Sequence, residues 1–208
     1  MAINTYGTLQ TAIANWLDRD DLTSRIPEFI SLTEAIFNRA LRIRAMETIV
    51  SDNTPSGSKE DPLPTGYLQM REIHLETSPI VPLSYITPEI MYRIRAGSVN
   101  GRPNSYTIMG DNILFGPTPD SVYAYSMTYY KALAALSDAA PTNWAILNAP
   151  DMYLYGTLLQ AEPFLMNDER VPLWERGFRQ AISDLQEQDN KDRHSGSEMR
   201  VMNTSGYY

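Results

Sequence analysis

The chain has 208 residues, of which 17 are Lys or Arg and 25 are Asp or Glu, giving a formal net charge of −8. With 43% apolar and 20% charged residues it has the composition of a folded globular protein of one domain or at most two small ones, able to bury about 70% of the surface its unfolded chain exposes. That composition excludes a disordered or fibrous chain, and the absence of cysteine excludes a disulfide framework, a thiolate nucleophile and a cysteine-ligated metal.

No run approaches the roughly 18 to 20 apolar residues of a membrane span, and the N-terminus lacks the basic start and apolar core of a signal peptide. The expectation is a protein without a membrane partner, made and used in the cytosol or in something assembled there. Net acidity argues against general nucleic-acid wrapping, which needs clustered Lys and Arg on one face.

In chain order, Leu9, Ile13 and Trp16/Leu17 recur at helical spacing, and Asp18 to Asp21 forms a polar break. A second helix is expected from Thr23 or Ser24 as N-cap, with Pro27 and Glu28 in its first turn and two apolar stripes running on to Ile43. Ser51 to Pro62 reads as a flexible loop. Nine of the fourteen prolines fall between Ile49 and Leu133, which excludes long helices there. The strand-like runs of this region are Met70 to Leu75, Pro82 to Ile86, Ser105 to Met109, Asn112 to Phe115 and Val122 to Lys131. Gly110-Asp111 fits a two-residue hairpin turn, and Thr87, Pro88 and Gly97 bracket one short helix. Helix returns around Asn143 to Asn148 and from Asp151 to near Pro163, and a final helix spans about Asp168 to Asp192 with Trp174, Phe178, Ile182 and Leu185 on one face.

These elements predict a mainly α protein: an antiparallel helical bundle with a small proline-rich β-containing insertion and a flexible C-terminal arm. The expected boundaries are 1–48 for the first part of the bundle, 49–133 for the insertion, 134–193 for the second part and 194–208 for the arm.

Catalytic motifs are scarce. His74 and His194 sit in no metal or triad pattern, no glycine-rich phosphate loop is present, and Asp18 to Asp21 lacks the later ligands and turn glycine of a calcium loop. The reading is no enzyme, no cofactor, no metal and no catalytic residue. More informative is Arg39 with Arg42, three apart on the second helix. They fit either a solvated face paired with acids such as Glu34 and Glu47 or a contact between subunits, where arginine is enriched. Eight of thirteen tyrosines lie in the middle region, Tyr123, Tyr125 and Tyr129 alternating along one strand. Ordinary amphipathic packing and a tyrosine-rich subunit contact both account for them. In the tail, Met199, Arg200, Val201, Met202, Tyr207 and Tyr208 are adhesive residues in a solvating segment, which fits either a disordered end or a peptide that orders in a partner's groove.

The order of certain segments resembles a known family. They are Tyr6-Gly7-Thr8-Leu9 to Trp16-Leu17, Ile26-Pro27-Glu28-Phe29-Ile30 to Arg39-Ala40-Leu41-Arg42, Leu63-Pro64-Thr65-Gly66-Tyr67-Leu68 and Pro82-Leu83-Ser84-Tyr85-Ile86-Thr87-Pro88-Glu89. Beyond these stand Ala149-Pro150-Asp151-Met152-Tyr153-Leu154-Tyr155-Gly156, Ala161-Glu162-Pro163-Phe164-Leu165 and Trp174-Glu175. Together they resemble the head-to-tail connector, or adaptor, proteins of tailed bacteriophages and gene transfer agents, over nearly the whole chain up to Arg193. The resemblance implies a structural virion protein at the head-tail junction, assembled in the host cytoplasm. It implies a homo-oligomeric ring of twelve copies, with the portal protein and a tail or nozzle protein as further partners and DNA passing through without specific binding. The residues from Ser195 to Tyr208 would form a portal-gripping arm. Two other readings stay open from the residues alone: a glycan or peptidoglycan hydrolase using paired carboxylates, and a DNA-binding regulator using the Arg39 and Arg42 face.

Overall fold

The computed structural model describes residues 2–58, 60–97, 100–165 and 169–193. The chain divides into two compact units, one formed by the residues up to Ala45 together with those from Leu133 on, the other by Met46–Ala132.

In the helical unit, α1 (Tyr6–Leu17) starts at a capping box in which Thr5 and Thr8 satisfy each other's backbone N–H groups, and its apolar stripe buries Leu9, Ile13 and Leu17. A 3-10 turn (Asp20–Arg25) leads into α2 (Ile26–Ala40), whose Pro27 occupies the first turn, where no intrahelical N–H is required. After the connection back from the other unit come α4 (Trp144–Asn148), α5 (Pro150–Gln160) and α6 (Val171–Arg193). Apolar residues on several sides of α5 mark it as the central helix, with Met152, Tyr153, Leu154 and Leu158 all buried and α1, α2, α4 and α6 packed around it. Gly156 lets three helices meet: a Cβ there would stand 2.6 Å from the Thr33 methyl on α2 and 2.8 Å from the Phe178 ring on α6.

The second unit holds two four-stranded sheets. The first has the order β1-β8-β3-β4, built from β1 (Glu47–Asn53), β8 (Ala124–Lys131), β3 (Tyr67–Leu75) and β4 (Val81–Pro82), all antiparallel. In the second, β2 (Glu60–Pro62), β7 (Asn112–Gly116), β6 (Ser105–Met109) and β5 (Ser84–Tyr85) follow one another, with β5 parallel to β6. The β6–β7 hairpin turns at Gly110-Asp111, Gly110 taking φ +58° as such a turn requires. Ile73, Leu75, Tyr106, Ile113, Phe115, Tyr125, Met127 and Tyr129 from the two sheets form one core. The short helix α3 (Pro88–Ala96) buries Met91 and aims Arg95 at the Phe115 carbonyl, Nη2 to O 2.7 Å.

This corrects the expected fold class. With 46% helix and 22% strand among the described residues, and two four-stranded sheets, the protein is not a mainly α helical bundle with a small insertion. The difference lies in edge strands. β1 and β2 occupy segments whose polar, half-exposed residues carry no period-two signal of their own, and each is held by a strand more than 45 residues away in the chain, β1 by β8 and β2 by β7. A second correction concerns α2, which ends at Ala40 because Leu41 is extended, so the apolar stripe continues to Ile43 without the helix.

Candidate functional site

The most organised polar constellation of the helical unit is buried. Glu34 lies on the apolar stripe of α2, four residues after Ile30 and three before Phe37, and is 8% exposed. Its Oε1 accepts hydrogen bonds from the Leu136 N–H at 2.8 Å and from the Tyr153 hydroxyl at 3.0 Å. Asn143 in turn donates to the Tyr153 oxygen at 2.7 Å and to the Ala134 carbonyl at 2.6 Å, while its own carbonyl caps α4 by accepting from the Ile146 N–H. Burial holds the Glu34 carboxyl above its usual range, the two hydrogen bonds working the other way. Burial likewise raises Tyr153. The arrangement ties α2 and α5 to the segment that re-enters the unit at Leu133, whose N–H donates to Asn38 Oδ1 at 2.9 Å. It is a clamp on the chain's own backbone.

The second constellation stands at the end of α6. Asp189 and Arg193, one turn apart, form an ion pair with side chains 11% and 17% exposed, Nε to Oδ2 2.6 Å. The other Asp189 oxygen accepts from the backbone N–H of Arg44 at 2.7 Å, and the Arg44 guanidinium lies 3.6 Å from Asp192. A crevice of about 220 Å³ opens here, with Ile43, Trp144 and Leu185 as its apolar lining and Arg44, Asp189 and Asp192 as its charged lining. Its acids are engaged with arginine or backbone N–H groups, the arrangement of a structural joint.

The residues singled out from sequence are scattered. Arg39 is exposed in the last turn of α2. Arg42 lies beyond the helix and folds back so that its guanidinium donates to the carbonyls of Asn38, at 2.9 Å, and Leu41, satisfying orphan acceptors at the helix end. The two therefore share no helix face, and Glu34 is the partner of Tyr153 and Leu136. In the β unit, Tyr125 and Tyr129 are each 1% exposed within the core, Tyr125 donating to Asp61 Oδ2 at 2.7 Å and Tyr129 stacking on Tyr67 with ring centroids 5.7 Å apart. Burial raises Tyr125 and Asp61, and lifts Tyr67 to about 12. Tyr123 is half-buried and donates to Asp120. Of the three tyrosines, Tyr123 is the one with surface to offer a neighbour. Met199, Arg200, Val201, Met202, Tyr207 and Tyr208 lie outside the described residues.

Sequence reasoning missed Glu34 as a buried clamp and Tyr153 and Asn143 as its partners. The available signal was the position of Glu34 on an apolar stripe. Among the described residues no three His, Asp or Glu side chains are grouped to hold a metal ion, and no helix is long and apolar enough to cross a membrane. The two carboxyls raised by burial, Glu34 and Asp61, belong to different units and each faces a tyrosine hydroxyl.

In each unit a buried or half-buried carboxyl is thus engaged by a tyrosine hydroxyl of the same unit, Asp61 by Tyr125 and Glu34 by Tyr153. Residues 4–202 match the family model described as SU10 adaptor protein, and the chain belongs to that family. It is thus a bacteriophage structural adaptor, a virion component that contacts other virion components. A comparison with curated proteins returned no match.

Proposed function

We propose that the protein is a head-to-tail connector: twelve copies close into a ring that docks beneath the portal, links it to the tail and forms part of the DNA conduit. The observation that carries this reading is the family match over residues 4–202, nearly the whole chain. Charge supports it. Each copy adds −8, and acidic groups lining a bore repel phosphates within a Debye length of about 8 to 10 Å, so DNA slides without adhering. A closed ring needs two different patches on each copy that meet head to tail. Exposed Arg39 and the accessible edge of Tyr123 serve as lateral contacts in this reading, and residues 194–208, with Met199, Arg200, Val201, Met202, Tyr207 and Tyr208, form the arm that grips the portal.

Immunogold labelling of intact particles tests the placement. Label at the head-tail junction is the expected result, and label on the capsid shell or the distal tail rejects it.

A further inference from the structure

The two sheets have unequally protected edges. β4 and β5 are two residues long, and β2 has three residues, one of them Pro62. β3 is irregular along its length, its pairing with β8 shifting register between Tyr67 and Gln69 and between Met70 and Glu72. Short strands, proline and bulges are the usual means of blunting an edge. β1 has none of these: its seven residues keep unbroken register with β8, contain neither proline nor lysine, and among the described residues no strand lies on its other side.

Which groups point outward follows from the ladder. The Thr54 N–H donates to the Tyr123 carbonyl and the Tyr123 N–H to Thr54 Oγ1, so Thr54 faces β8. In an antiparallel pair, orientation alternates. Asp52, Val50 and Thr48 therefore also bond to β8, while Glu47, Ile49, Ser51 and Asn53 direct their N–H and C=O away from it. The Asn53 N–H is already capped by Asp52 Oδ1 at 2.8 Å. Ile49 and Ser51 supply the four central groups of this outward template, and Ile49 is 70% exposed beside it.

We propose that this edge pairs with the same edge of a second copy, antiparallel about a two-fold axis at Val50. Ile49 then sits opposite Ser51 of the second copy and Ser51 opposite its Ile49, each pair exchanging two backbone hydrogen bonds. The side chains favour self-pairing. Val50 faces Val50, Asp52 falls opposite Thr48 and Glu47 opposite Asn53, so no two like charges stand directly across from each other. The exposed Ile49 side chains lie diagonally on one face. Such a contact is isologous, different in kind from the head-to-tail contact of the proposed ring, and does not depend on it.

The cysteine-free chain offers a clean test by single-cysteine crosslinking. At the two-fold the Val50 Cα atoms face each other at about 4.5 Å, within disulfide range, whereas the two Thr48 Cα atoms are about 14 Å apart, outside it. Under mild oxidation Val50→Cys is expected to become mainly a linked dimer and Thr48→Cys to stay monomeric. Adding Ser51→Pro to Val50→Cys removes an outward N–H without touching a β8 bond, and is expected to abolish linkage with circular dichroism unchanged. If Val50→Cys does not fold, an equimolar mixture of Ile49→Cys and Ser51→Cys proteins replaces it and is expected to link. Val50→Cys linking no more than Thr48→Cys overturns the proposal, as does linkage that survives Ser51→Pro. So does slowed hydrogen exchange at Ile49 and Ser51 seen only after adding portal or tail protein. Ring formation on the portal is scored separately, so the two readings fail independently.

Discussion

The Tyr153 hydroxyl lies 3.0 Å from Glu34 Oε1 and donates to it across the interior of the helical unit, joining α5 to α2 through residues 119 positions apart in sequence. Tyr153→Phe leaves the carboxylate with the Leu136 N–H as its remaining donor and strips Asn143 of an acceptor. The expected cost is about 1 to 3 kcal/mol in chemical denaturation, the range for an unsatisfied buried partner.

The same pair gives a pH dependence of known sign. Burial raises the folded Glu34 carboxyl above its unfolded value of 4.5, so the folded state takes up this proton at a higher pH than the unfolded chain. The resulting stabilisation is complete below the unfolded value and is lost as pH rises through the folded one. Glu34→Gln keeps an acceptor oxygen for both donors but cannot titrate. The wild type is therefore expected to gain stability relative to Glu34→Gln as pH falls from 7 toward 4.5, measured by urea unfolding at stepped pH. Parallel pH profiles contradict the assignment.

Gly156→Ala places a methyl group where Thr33 and Phe178 already stand. Overpacking is expected to cost about 1 to 3 kcal/mol, exceeding the roughly 1 kcal/mol that alanine gains in helix propensity. A lower thermal midpoint is the readout.

Asp189→Ala removes both an ion-pair partner of half-buried Arg193 and the acceptor of the Arg44 N–H. A loss of about 2 to 4 kcal/mol is expected for breaking such a joint. Faster hydrogen exchange in the last turns of α6 should localise it.

Arg39 and Arg42 separate assembly from stability. Arg42→Ala exposes the α2 terminal carbonyls and is expected to cost about 0.5 to 1.5 kcal/mol. Arg39→Glu is expected to leave the melting temperature unchanged while lowering ring yield on the portal, scored by electron microscopy.

Much of the local structure was legible because its causes are local. Leu9, Ile13 and Leu17 at helical spacing gave α1, Thr87-Pro88 and Gly97 bracketed α3, and Gly110-Asp111 marked the β6–β7 turn. The alternation in Tyr123 to Tyr129 marks a strand, but period two cannot say which sheet face is covered, and two of those tyrosines belong to the core. What escaped depends on distant partners. Glu47 to Asn53 is strand because β8 holds it, and Glu34 is a clamp because Leu136 and Tyr153 meet it. Arg42 lost its place beside Arg39 because Leu41 turns extended, a backbone change that an unbroken apolar stripe conceals.

In the proposed function, copies of this chain join a portal by interfaces alone. Cryo-electron microscopy of the purified protein mixed with the portal of the same phage tests it most directly. A closed ring of copies seated on the portal is the result this account predicts, and portal particles that stay bare at saturating protein would contradict it.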